Sequence, residues 1–596
     1  MRSLAAVLTL GLVVLGIALT TAAHSSGAQG LTMQAARGLV HQRFVRVDGT
    51  LHRVPTLSAG TVVSAEAAGG YAAADLTTVP SIPHQSLGCS NRTSGGDVRV
   101  NQDCTVRRQA EEAIAVNPID PNNLIAGQND SSIGWNHCGF DYSFDGGTRW
   151  GSGIPPFYER LNHPVSPHTI AGGHGTGHTY DAASDPSVAF DSRGNAYFSC
   201  IMFDIKGNAG GILVGRSPAG AGGSFYNDVP SPAGGVDKAH YVVVEDNSAS
   251  AGVDKEWIAA DSFKHSPYRD SVYVTWTEFL NSPRCAQGGQ CSSPIYFSRS
   301  GNHGLTWSKP KEISGNSGTL CFDGNLFDPR RRPHDCDLDQ GSEPVVLPNG
   351  NLVVVFNNGN TRDGNPNQQQ LAVVSKDGGR TWSKPALVGR DVVRKEPQCR
   401  LSDGPDQCVP GSFVRVDDFP LVAVDRSNGH LYSVWDDYRD GRYDIRLSGS
   451  TDGGRSWVSR RHPVYREHGF DQYMAAVAVS PSNHDIALSF YVTRRVPNEY
   501  GHHGTFRSGQ PGVEKEESGY LLAVGKGLRD AFSVSSLAPS FPPPDGIQAG
   551  FNGDYSDLVV VGDAAHPIWS DTRNAFKAST GTFHDEDVFT TTRKLR

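Results

Sequence analysis

The sequence predicts an all-β chain closed into a seven-bladed β-propeller. Three observations predict it: a short apolar strand recurs seven times from residue 111 onward, two further β-rich runs follow most copies, and the third run repeatedly ends in one turn motif. The apolar strands fall at 113–117, 187–191, 257–261, 344–348, 421–425, 475–480 and 557–561. Near-continuous apolar runs of this length suit strands buried on both faces. Second strands are expected at 271–276, 351–356 and 430–435, and third strands at 295–298, 371–374 and 444–447. Gly, Asn, Asp and Pro separate the runs, and no helical periodicity intervenes. Repetition at this period lets one closed unit hold a chain of 596 residues without an ever-larger core.

The turn motif is Ser-x-Asp-x-Gly-x-x-Trp. It is complete at Ser143-x-Asp145-x-Gly147-x-x-Trp150, Ser375-x-Asp377-x-Gly379-x-x-Trp382 and Ser450-x-Asp452-x-Gly454-x-x-Trp457, and Asn302 replaces Asp in the copy from Ser300 to Trp307. A short carboxylate accepts hydrogen bonds from turn amides, Gly supplies positive φ, and Trp returns an aromatic to the apolar layer. The motif resembles the Asp box of sialidases and related propellers, over about residues 106–596. In that family the box lies on the outer edge of the blade, away from the catalytic centre, so its residues are poor candidates for catalysis. The resemblance offers a six-bladed, sialidase-type ring as the alternative to the seven counted. Sorting receptors and some endoglucanases carry Asp boxes too, so the motif speaks to fold rather than function.

The termini and cysteines point to export. Arg2, an apolar run from Leu4 to Leu19 and the small residues Thr21-Ala22-Ala23 read as a signal peptide over residues 1–23. The run is short for a bilayer span of about 20 residues, so no membrane association is expected after cleavage. Residues 24–105, rich in Ala, Gly, Ser and Thr, read as a leader or propeptide, with the propeller over 106–596. Ten cysteines suggest disulfides between sequence neighbours: 89–104, 138–200, 285–291, 321–336 and 399–408. The net charge of −9 is spread along the chain without a long basic run, which excludes nucleic acid as a partner.

Polar residues just before the apolar strands mark the mouth of the ring: Glu111, Asp185, Glu256, Glu343, Asp418 and Asp554, with Tyr473 and Tyr555 nearby. Each carboxylate alone reads as a hydrogen-bond acceptor in the channel; as a group they raise one another's pKa. An aromatic followed four residues later by Arg recurs at Trp435…Arg439, Phe490…Arg494 and Trp569…Arg573. A repeated structural ion pair explains it, with Asp437 or Asp571 as partner; a cluster of guanidiniums that holds a carboxylate explains it equally. His163, His168, His174, His178, His502 and His503 fall in insertions with no standard metal-ligand spacing, so metal content stays open, as does Ca²⁺ in the acidic mouth.

The sialidase resemblance implies roles for these residues. Tyr555, in Gly553-Asp-Tyr-Ser-Asp557, matches the segment that carries the family's Tyr nucleophile. It implies Glu343 as the paired base, Asp185 as the acid/base, and Arg439, Arg494 and Arg573 as the clamp on an acidic sugar. The family's Arg-Ile-Pro signature is absent, which leaves that clamp incomplete. The expected activity is therefore a secreted glycoside hydrolase acting on extracellular glycans, with a non-catalytic propeller that binds glycan or protein through its mouth as the alternative. Cofactor need, disulfide connectivity and oligomeric state stay open.

Overall fold

The computed structural model describes residues 97–595, apart from 106–107, 133–135, 159–179, 181, 204–209, 227–241, 247–250, 283, 286–289, 362–366, 394–397, 402–403, 410–413, 495–517, 543–551 and 579–580, together with a hairpin of Phe44–Val47 and Thr50–Arg53 and the residue Ser58. The signal segment and all six of the insertion histidines lie outside the described residues.

Seven antiparallel sheets of four or five strands follow one another along the chain. Their inner strands are Gln109–Asn117, Ala182–Phe190, Ala251–Ala260, Asp339–Val346, Leu421–Val424, Phe470–Val479 and Asp557–Val561, numbered here as blades 1 to 7. All seven lie where the apolar runs predict them, and they touch in cyclic order with blade 7 back against blade 1. The ring is thus a seven-bladed propeller, and the six-bladed alternative is set aside.

Closure uses a strand from the leader. The outermost strand of blade 7 is Val98–Arg99, paired antiparallel with Gly581–Thr590. Val100 N extends the ladder to Val588 O at 2.8 Å, and Asn101 accepts from Val588 N at 2.9 Å. The ring therefore begins inside the segment read from composition as leader. Two residues in strand conformation are too few to give a periodic signal.

The strand register orients the two faces. Inner-strand starts pair with second-strand ends, as in Gln109↔Asp130, while Leu124 at the start of that second strand pairs with Ser143 at the end of the third. The carboxylates at the starts of the inner strands thus share one face, the mouth, with Arg439, in the turn after Leu431–Asp437, and Arg573, at the bulge of Ala564–Ala578. The Ser-x-Asp turns occupy the opposite face.

Those turns are built as the sequence predicts. Gly147 N donates to Ser143 Oγ (2.9 Å), Arg149 N to Asp145 Oδ1 (2.9 Å) and Trp150 Nε1 to Gly147 O (3.1 Å). The Asn302 variant keeps the geometry, with Thr306 N on Asn302 Oδ1 at 3.0 Å. Between blades, aromatics of the second strands fill the gaps: Trp276, Phe356, Trp435, Phe490 and Trp569 are buried. Gly389, in the outer strand of blade 4, lies flat against the Trp435 ring of blade 5, where a Cβ would collide with the indole.

Cys138–Cys200, Cys285–Cys291 and Cys321–Cys336 are bridged as expected. The first joins the third strand of blade 1 (His137–Ser143) to the second strand of blade 2 (Ala196–Phe203). Cys104 and Cys408 are also disulfide-bonded. The proposed 89–104 and 399–408 bridges each involve a side chain outside the described residues.

Candidate functional site: the axial cluster

A bulge repeated around the ring builds the mouth. Five inner strands slip register at the same place: Ala110/Ala113, Ser184/Ser187, Asp254/Trp257, Gln340/Glu343 and Tyr473/Ala476. At each slip one residue takes left-handed backbone: Glu111 (φ 62°), Asp185 (59°), Lys255 (50°), Gly341 (64°) and Met474 (51°). Gly553, before Asp554, does the same in blade 7 (91°). Left-handed backbone is strained for residues with a Cβ, and bulges re-aim side chains next to functional sites.

Glu111 and Asp185 form the core of the cluster. Asn129 joins them: its amide nitrogen donates to Glu111 Oε2, and its carbonyl accepts from Asp185 N at 3.0 Å. Ser184 Oγ donates to Asp185 Oδ1 at 2.5 Å. Burial pushes the Glu111 carboxyl well above the usual carboxylate range, and the charges of Asp185 and Asp554 push it the same way; Lys255 partly opposes them. Burial likewise raises Asp554, against the pull of Arg415, whose Nε lies 3.0 Å from Asp417 and 3.9 Å from Asp554. Glu256 is raised by burial and by Asp185, and takes a hydrogen bond from Ser199 Oγ at 2.7 Å.

Lys255 is the cation of the cluster. Its Nζ lies 3.6 Å from the centre of the Tyr555 ring and 4.5 Å from that of Trp257. The two rings meet edge to face at 5.0 Å. The Tyr555 hydroxyl donates to Pro186 O at 2.9 Å. Burial raises its pKa well above the ordinary phenol value, and Glu111, Asp185, Glu256 and Asp554 add to the rise. The whole group is nearly closed to solvent. Ser58, from the leader, is buried beside it and donates its amide to Asp254 at 2.6 Å.

The structure thus gathers Tyr555 and Asp185 at one place and puts Glu111 there with them. Glu343 accepts from Val422 N at 2.5 Å, tying blade 4 to blade 5, and its charged neighbours are Asp557 and the cluster's Lys255. The three arginines are held within separate blades. Arg439 Nε lies 2.7 Å from Asp437, two residues away. Arg573 lies 2.8 Å from Asp571 and, through Nη1, 2.8 Å from Asp97 beside the closing strand. Arg494 lies over the Phe470 ring at 5.5 Å. This is the ion-pair explanation of the repeated aromatic–Arg spacing, at least for Arg439 and Arg573. Asp418 faces Gln407, whose amide donates to it at 2.9 Å. Tyr473 stacks on Tyr491 inside blade 6.

Lys255, Arg415 and Asp417 are the members that sequence reasoning missed. Lys255 had a signal, a Lys-Glu pair just ahead of the apolar strand at 257–261. Arg415 had none, because it precedes the inner strand of its blade. Among the described residues, the one group with metal-ligand proximity is Cys285, Cys291 and Asp328, and both of its sulfurs belong to a disulfide.

No family model matches the sequence, and no curated protein is similar to it. Solved structures do match. A Hadza microbial sialidase shares 14% identity, with 70% of this chain matched to 66% of that one, just under two thirds of its length, at a TM-score of 0.37. An α-L-arabinanase of Penicillium chrysogenum, solved with arabinobiose, matches at 14% identity over 74% and 96% of the two chains, at a TM-score of 0.37. An intramolecular trans-sialidase of Ruminococcus gnavus, solved with oseltamivir carboxylate, matches at 12% identity over 84% and 98%, at a TM-score of 0.36.

Proposed function

We propose that this chain is a secreted glycoside hydrolase acting on extracellular glycans, with its chemistry at Glu111, Asp185 and Tyr555. One observation carries the reading: two buried carboxyls from adjacent blades, Glu111 and Asp185, are bridged by the Ser184 hydroxyl and held by Asn129 beside a buried phenol. Two carboxyls beside one phenol can serve as general acid and general base, and burial raises the Glu111 carboxyl toward the range a base needs. In a retaining hydrolysis the Tyr555 oxygen attacks the anomeric carbon while its proton passes to Glu111. Asp185 serves as the acid that gives a proton to the leaving oxygen. Water then cleaves the glycosyl–tyrosine bond as both protons return. Glu111 takes the place at Tyr555 that the sialidase resemblance gives to Glu343. Arg439 and Arg573 are occupied by their own carboxylates, so nothing favours an acidic sugar over a neutral one at this site.

The test is turnover of a panel of aryl glycosides, sialosides, uronides and arabinosides by the purified chain, before and after limited proteolysis of the leader that places Ser58 on Asp254. Glu111→Gln and Asp185→Asn are expected to lower kcat by about 10²–10⁴-fold with unchanged folding by circular dichroism. Absence of turnover on every substrate in both forms overturns the reading.

A second reading, a propeller that binds without cleaving, is favoured by the Tyr555–Pro186 hydrogen bond, which occupies the phenol. Binding of a glycan by wild type and by Tyr555→Phe alike, without products, supports it.

A further inference from the structure

A cleft of about 780 Å³ opens on the face of the Ser-x-Asp turns, between the outer edges of blades 5 and 6. It lies at outer strands and on the face opposite the axial cluster. Its cations are Arg460 and Arg461, which follow the outer strand Val458–Ser459 with His462 next to them, and Arg529, at the tip of the turn after Ser518–Gly525. Arg461, His462 and Arg529 are exposed and make no ion pair among the described residues, and Asp530 is the one acid in the lining. Three guanidiniums against one carboxylate leave the cleft positive, and the chain as a whole carries a net charge of −9, so the local field here runs against that of the whole molecule.

The cleft is also pre-built. Arg460 Nη1 donates to Leu528 O and to Asp530 O, both at 2.7 Å, and its guanidinium lies over the Phe532 ring at 5.2 Å. One arginine of blade 5 thus fixes the blade 6 turn that presents Arg529. Ser450, Thr451, Ser456 and Ser459 line the same space, with the partly buried Tyr432 and the exposed Val458 at its wall; the Ser450 and Ser456 hydroxyls are held by Asp452 of the turn. Exposed guanidiniums gathered beside an aromatic residue in a pre-built cleft match a sugar that bears anionic groups. A nucleic acid needs a longer stripe of cations along successive phosphates.

We propose that this cleft is a second glycan-binding site, specific for oligosaccharides bearing sulfate or carboxylate groups. It does not depend on catalysis at the axis, and it holds whether or not the axial cluster turns over substrate. Guanidiniums take both groups by paired, charge-assisted hydrogen bonds, with the stronger salt dependence expected for the more densely charged ligand.

The experiment is isothermal calorimetry on the full chain with a heparin oligosaccharide (sulfate), oligogalacturonate (carboxylate), neutral dextran and a single-stranded oligonucleotide, at low and at physiological salt. The double variant Arg461→Ser/Arg529→Ser alters exposed side chains only, and an unchanged melting temperature confirms its fold. The expected result is binding of at least one of the two anionic sugars, at least tenfold weaker in the variant and weaker at higher salt, with no dextran binding. Which sugar binds more tightly identifies the anionic group. The proposal is overturned if neither anionic sugar binds, if the variant binds equally well, or if the oligonucleotide binds more tightly and is lost in the same variant. Loss of hydrolysis in Glu111→Gln with retained heparin or galacturonate binding separates this site from the axial one.

Discussion

Lys255 holds a cation against two aromatic faces, in left-handed backbone, at the centre of a ring of buried carboxyls. Its charge lowers the pKa of Glu111, Glu256, Glu343 and Asp557. Lys255→Met keeps the apolar stem and removes that charge. The acid limb of a pH–rate profile is expected to move upward by about one unit, since an opposite charge at close range is worth that much. An unmoved limb would place the working carboxyls outside its reach. Much of this site was legible one residue at a time: Asp185, Glu256, Asp554 and Tyr555 stand out because a polar residue precedes an apolar strand. Their grouping was not legible, because it depends on which blades face each other across the axis. Glu343 shows the limit. Its sequence context matches that of the axial carboxyls, yet it lies one residue further past the bulge than Asp554 does past Gly553, and it points between blades, onto Val422 N.

The blade is the element that the sequence announces most clearly. Its inner strand is apolar, its turn motif is stereotyped, and both recur. The outermost strands were not legible, since Val458–Ser459 and Lys311–Glu312 are two residues each and partly exposed. The second strand carries a rung that pattern reading assigns to arginine but that serves a carboxylate. Trp276 Nε1 donates to Glu278 at 2.7 Å and Trp569 Nε1 to Asp571 at 3.0 Å, so an acid two residues past the aromatic anchors the ring between blades. Packing between blades is close enough to fail on one methyl group. Gly389→Ala is expected to destabilise the fold by about 1–3 kcal/mol, the usual range for overpacking, by driving Cβ into Trp435. Chemical denaturation with intrinsic tryptophan fluorescence measures it, and Gly441→Ala, at a glycine with open space but positive φ, is the contrast that reports backbone strain alone.

At the scale of the molecule, pH and closure decide stability. Burial raises Asp557 to about 7 and Asp141, Glu278 and Asp339 to about 8. An acid raised on folding binds its proton more tightly in the native state, so its contribution is present below the ordinary carboxyl range and declines as pH climbs from about 4 to about 8. Asp377 and Asp452, lowered to about 2 mainly by hydroxyl and amide donors of their turns acting against burial, act in the opposite sense and lose their contribution as pH falls below about 4. The melting temperature is therefore expected to peak near pH 5 and to be lower at pH 8; a rise from pH 5 to pH 8 contradicts the assignment. Closure rests on buried charge. Arg573 joins Asp571 to Asp97, and Arg99 meets Asp587 at 3.1 Å. Arg573→Ala leaves two buried carboxylates without their cation and is expected to cost about 3–5 kcal/mol, read as a lower denaturation midpoint. A clamp on an acidic sugar would instead change KM with stability intact.

The strand Val98–Arg99 and its neighbour Gly581–Thr590 stand at opposite ends of the described chain yet lie side by side. During synthesis the early one waits until the blades between the two have been made. Until the two meet, the outer edge of blade 7 is unsealed, the kind of surface that recruits other chains into mispaired sheets. Yield in a cell should accordingly respond to translation speed and to holdase chaperones more than the stability of the sealed molecule would suggest.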